Sequence, residues 1–117
     1  MDRFRPETFL PLSTVAFEIL LALADEDRHG YAIMQEVEAR SGGAVSLHAG
    51  SLYRALARLL EQDLIEELDP HAAGPGDERR RSYRLTARGR AVARAEAARL
   101  EQQVARARAS RLLGTRI

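Results

Sequence analysis

The apolar period of this chain changes twice, and that limits the folds open to it more than any single residue does. Leu12, Val15, Ala16, Ile19, Leu20 and Leu23 recur at steps of three and four, the spacing of one face of an α-helix. Ser13 is placed as an N-cap, so a helix is expected over residues 13–25, stopping at the acidic turn Asp25-Glu26-Asp27. Ile33, Met34 and Val37 mark a second helix over 29–40, ended by Ser41-Gly42-Gly43. A third, over 48–62, is marked by Leu52, Leu56, Leu59 and Leu60. The period then shortens: residues 64–68 and 82–86 alternate or nearly alternate, as strands do. Between them, Pro70, Gly74, Pro75 and Gly76 keep DPHAAGPGDERRR out of regular structure, so a hairpin with a long tip is expected, Tyr83 and Leu85 on one face and Ser82 and Arg84 on the other. After the N-cap residue Thr86 the helical pattern returns for about 25 residues without Pro and with one early glycine, Gly89.

Three helices, a hairpin and a long final helix follow the order of a winged helix-turn-helix, mainly α with a small β-hairpin wing, in which the third helix enters the major groove. The expected division is an N-terminal arm over 1–12, a winged helix-turn-helix over 13–86 and a C-terminal dimerisation helix over 87–117. A chain of 117 residues has room for one such domain.

Several function classes fall away on composition. The absence of cysteine removes disulfides, iron–sulfur clusters and thiol catalysis. No apolar run approaches the roughly 20 residues of a membrane span, and MDRFRPETF lacks a signal peptide's apolar stretch, so a cytoplasmic protein with no membrane role is expected. His29, His48 and His71 lie 19 and 23 residues apart with neither metal-ligand spacing nor a phosphate-cradling glycine loop. No enzyme, metal or cofactor is expected.

The net charge of +1 conceals a segregation. Residues 1–27 carry two Arg against six acids, residues 61–78 seven acids and no base, and residues 79–117 twelve Arg against two acids. Every basic residue is Arg, whose planar fork can bind phosphate or guanine in bidentate fashion.

Four stretches carry a family resemblance. HGYAIMQEVEARSGG (29–43), GSLYRALARLLEQDLIEE (50–67), RRRSYRLTARG (79–89) and the Arg/Ala-rich helix after them resemble, in order, the motifs of PadR regulators over roughly residues 13–110. The single terminal helix is similar to the family's shorter form. His48-Ala49 stands where that family usually has a Ser-Pro-like helix start, and Asp63 where it usually has Gly. The resemblance implies a dimeric DNA-binding transcriptional regulator, a repressor, with room for a small aromatic or cationic effector between subunits.

On the third helix the leucine stripe turns His48, Ser51, Arg54, Ala55 and Arg58 outward, with Arg54 and Arg58 one turn apart. Arg54 is expected to read guanine and Ser51 to meet a base edge or phosphate. Tyr53 has two readings, a phosphate contact and a structural aromatic at the rim of the core. Tyr31 and Gln35 share a face of the second helix; the resemblance makes Tyr31 a phosphate contact, and a core aromatic is the alternative. Arg79, Arg80 and Arg81 at the wing base fit phosphate or minor-groove contacts, or a solvated charge run. Ala93, Ala97, Leu100, Val104 and Ala107 follow a 4-3-4-3 spacing on the last helix, a seam of the coiled-coil kind that calls for a second copy, with the first helix and Phe9, Leu10 and Leu12 as further surface; the alternative is that the helix folds back on its own domain. A different class remains open, an interaction module whose basic helix docks an acidic partner; salt-dependent duplex binding separates the two.

Overall fold

A computed structural model describes residues 3–68 and 81–113. Helix α1 (Thr14–Ala24) opens on Ser13, whose Oγ accepts from the Ala16 amide at 3.1 Å, and it buries Ile19, Leu20, Ala22 and Leu23. Strand β1 (Arg28–His29) leads into α2 (Gly30–Arg40), which buries Ile33 and Val37, and then comes α3 (Ala49–Glu61), whose Leu52, Leu56 and Leu59 face the core. Strands β2 (Ile65–Leu68) and β3 (Ser82–Leu85) precede α4 (Ala87–Ala109). The fold class expected from the period is the one observed, with helix ends displaced by one or two residues.

The sheet is larger than a hairpin. It has three antiparallel strands in the order β1-β3-β2, with Ile65 opposite Leu85, Glu67 opposite Tyr83, and Arg28 also paired with Tyr83. Tyr83 and Leu85 are buried and Arg84 is exposed, so the alternation in β3 gives the expected faces. The two-residue strand β1 is an addition to the expected hairpin. It closes the sheet onto the helices, since the Gly30 amide that follows it donates to the Arg81 carbonyl at 3.2 Å.

Helix α4 begins at Thr86, whose Oγ1 accepts from the Gly89 amide at 2.9 Å and donates to the Asp63 carbonyl at 2.7 Å. Its first half buries Gly89, Val92 and Glu96 against the domain. Over 101–109 every residue is exposed apart from half-buried Ala107. At about 1.5 Å per residue the 23-residue helix is about 34 Å long, more than the domain can cover.

The N-terminal segment departs from the sequence reading. It forms a 3-10 turn (Pro6–Phe9) that packs on α4. Phe9, Leu10 and Leu12, expected as additional pairing surface, are half-buried against the chain's own core, with part of each left exposed.

Candidate nucleic-acid interface

With its leucines committed to the core, α3 presents the opposite face to solvent. Arg54 and Arg58 are exposed there, and Arg54 Nη2 lies 3.4 Å from the half-buried Ser51 Oγ. Ala55 does not share that face: it is half-buried and packed against the core, because α3 is covered on this flank too. His48 is exposed and occupies the N-cap position in extended backbone, with no side-chain bond to the first-turn amides. Those amides therefore still point out of the helix end, where an anion is favoured.

Three arginines on the neighbouring elements are neutralised and the two of α3 are not, although Glu61 at the end of α3 lines a surface groove with both. Arg40 bonds Glu36 and Asp25 and holds both carboxyls below their ordinary range. Arg28 pairs with Glu26 at 3.2 Å and Glu36 at 3.7 Å. On the sheet, Arg84 pairs with Asp27 at 3.1 Å and Glu66 at 3.8 Å. Among the described residues neither Arg54 nor Arg58 forms an ion pair.

The tyrosines separate. Tyr31 is 48% exposed on α2, and Gln35, one turn on, is exposed beside it. Tyr53 instead turns toward α2: a Cβ on Gly30 would lie 2.7 Å from its hydroxyl oxygen and 3.1 Å from Cε1. That oxygen is enclosed and the side chain, half-buried overall, fills the gap left by glycine with its hydroxyl turned away from solvent. His29 is held by its neighbour, with Nδ1 2.9 Å from Ser82 Oγ. At the wing base, Arg81 is half-buried with Nε 3.8 Å from Glu67 Oε2. Arg79 and Arg80 lie outside the described residues.

At the other end of the molecule, Ala97, Leu100 and Val104 of the expected seam line an open groove of about 480 Å³ with Phe17 of α1. Ala93 and Ala107 are half-buried, and Val104 is 44% exposed. Among the described residues no cluster of His, Asp or Glu is arranged to hold a metal, and no helix is long and apolar enough to cross a membrane.

The sequence profile of the transcriptional regulator PadR-like family matches residues 19–95, from the middle of α1 into α4. This chain belongs to the PadR-like family. The match contains every candidate on α2, α3 and the wing, and it ends before Ala97, so most of the seam lies beyond it. An uncharacterized 37.1 kDa protein in transposon TN4556 of Streptomyces fradiae is 42% identical over 79 residues, 68% of this chain and 21% of that protein. An uncharacterized protein X of Lysinibacillus sphaericus is 32% identical over 73 residues, 62% of this chain and 65% of that one. The chain thus matches less than two thirds of the length of either relative. The crystal structure of a PadR family transcription regulator from Clostridium difficile superposes with a TM-score of 0.62 at 25% identity, covering 87% of this PadR-like chain and 100% of the other.

Sequence reasoning missed three parts of the site's frame: the strand β1, the seating of Tyr53 on Gly30 and the buried carboxylate of Glu96. The first two join residues far apart in sequence and leave no local period. The third had a signal, an acid among the arginines of α4, that patterning alone reads as surface.

Proposed function

We propose that this PadR-like chain binds double-stranded DNA as a homodimer and acts as a repressor at a near-palindromic operator. The observation that carries the reading is on α3, where Arg54 and Arg58 stand exposed one turn apart, without ion pairs among the described residues, beside Ser51 and past an uncapped helix start. Cations left unneutralised on a groove-sized helix suit a polyanion, and an Arg fork matches guanine O6 and N7. His48 and Ser51 near the start of α3 would lie closest to base edges, with Tyr31 and Gln35 on phosphate. Arg79, Arg80 and Arg81 would serve the flanking backbone, Arg81 after giving up its partnership with Glu67. Tyr53 would act indirectly, by seating α3 against α2. The bare half of α4 supports pairing through Ala97, Leu100 and Val104, and Glu101 at the groove's rim suits a cationic effector with an apolar body.

The decisive measurement is affinity at one fixed salt for an operator selected from a random DNA pool and for a scrambled duplex. Arg54→Ala is expected to lose about 1–3 kcal/mol on the operator and little on the scrambled duplex. Arg58→Ala, farther from the helix start, should weaken both alike and, in a salt titration, flatten the slope by about 0.9 for each phosphate left without its arginine. Equal losses on both duplexes for Arg54→Ala would remove its reading role. Duplex binding insensitive to salt would favour an acidic protein partner instead.

A further inference from the structure

Glu96 is the charged residue that the described part of the chain buries, and no DNA contact uses it. Its side chain is 3% exposed, on the face of α4 turned to the domain. A buried carboxylate is costly unless its oxygens are bonded. Arg99, one turn on, supplies a fork, Nε to Oε1 at 2.8 Å and Nη2 to Oε2 at 2.7 Å. Oε1 also accepts from the backbone amide of Leu12 at 3.4 Å, a residue from the opposite end of the chain.

The same N-terminal segment is gripped a second time. The Arg88 guanidinium sits 4.8 Å over the Phe4 ring, which meets Phe9 with centroids 5.7 Å apart. Arg88 and Glu96 are two turns apart, so α4 holds residues 4–12 along its length. On its far side the segment faces α3: Phe9, Leu12 and Ser13 look across a cavity of about 360 Å³ at Ala55, Arg58 and Leu59. Direct packing of α3 on α4 is slight, as is that of the Pro6–Phe9 turn on α3; α1 packs on both helices, and the segment adds a second route that reaches α3 through Leu12 and Ser13 at the cavity.

We propose that residues 4–12 form a strap carrying the position of α4 to α3, and that Glu96 is the positioning residue that fixes the strap through the Leu12 amide. The recognition helix is thereby set relative to the pairing helix, and in a dimer the two recognition helices acquire one spacing. This rests on the DNA-binding reading above. A released strap leaves each α3 folded but no longer fixed against its counterpart, so two half-sites bound at once lose more than one half-site does.

Glu96→Leu removes both acceptor oxygens, whereas Glu96→Gln keeps one for the Leu12 amide. Hydrogen exchange at Leu12 and affinities for the full operator and for a single half-site are to be measured on the whole chain. For Glu96→Leu we expect faster exchange at Leu12, full-site affinity down on the order of tenfold and half-site affinity little changed, with Glu96→Gln close to the parent. If Glu96→Leu does not fold, Arg88→Gln frees Phe4 from an exposed position and should show the same division between the two duplexes. Equal losses on both duplexes, unchanged exchange at Leu12 or no rescue by Gln would overturn the proposal. A parent chain that binds no duplex ends the DNA reading, while the exchange measurement still decides whether Glu96 holds the strap.

Discussion

At Gly89 the absence of a side chain is a steric requirement. A Cβ there would lie 1.9 Å from the Leu64 carbonyl oxygen and 2.8 Å from Leu85 Cδ1, because the first turn of α4 runs directly over the start of β2 and the end of β3. Helix propensity alone argues the opposite, that alanine in this turn would gain about 1 kcal/mol over glycine. A backbone oxygen cannot rotate away as a side chain can, so Gly89→Ala is expected to cost about 3 kcal/mol. A urea midpoint equal to or above the parent's would refute this. Asp63 shows how far single residues are legible. Its φ of 60° is left-handed, and the bonds from the Asp63 amide to Leu60 O and from the Leu64 amide to Leu59 O close the end of α3. The backbone thus keeps the conformation that glycine would take, with an aspartate that tolerates it. Ser13 and Thr86 were readable as caps because each bonds an amide three residues on. Tyr53 on Gly30 was not, because the two meet only once α2 and α3 have packed.

Among the elements, those with a period were readable and those without one were not. Helices α1 to α4 and strands β2 and β3 repeat an apolar spacing long enough to place them within a residue or two. The strand β1 and the turn Pro6–Phe9 span two and four residues, too few to repeat anything. Helix α4 contains both outcomes. Its domain-facing residues Gly89, Val92 and Glu96 form a stripe adjacent to the 4-3-4-3 seam, whose first member, Ala93, packs on the chain's own core while Ala97 and Val104 stay exposed. Leu100 and Val104 instead line the groove beside Phe17. Leu100→Glu combined with Val104→Glu should therefore give a monomer by sedimentation at concentrations where the parent is paired, and retain most of the helical signal, since these positions support little of the single-chain core. A parent chain that sediments as a monomer would discard the pairing seam and the palindromic operator with it.

Across the whole molecule, 54 × 42 × 22 Å in extent, acids and arginines are matched at several points that link separate elements. Arg40 joins α2 to the end of α1 through Asp25, and Arg99 with Glu96 holds the N-terminal segment to α4. The Arg99 fork lowers the Glu96 carboxyl from its ordinary value of 4.5, burial opposes that, and the Leu12 amide adds to the lowering. A depressed folded-state value contributes stability that is complete above the unfolded value and is lost as pH falls through the folded one. Stability should accordingly decline as pH drops below about 4.5, with Asp25 and Glu36 contributing in the same direction. Urea midpoints at pH 7 and in the acid range should differ less for Glu96→Gln than for the parent. Parallel profiles would show that Glu96 carries none of the acid sensitivity.

The division of α4 into a covered and a bare half has a consequence for dosage. The core formed by α1 to α3, the sheet and the first half of α4 is drawn from one chain, so on this arrangement a lone protomer would be a folded molecule. Pairing on the bare half would then be a separate equilibrium, governed by how much chain is present. Where pairs are only partly formed, occupancy of a two-half-site operator would rise with the square of free protomer concentration, giving a threshold response without any ligand.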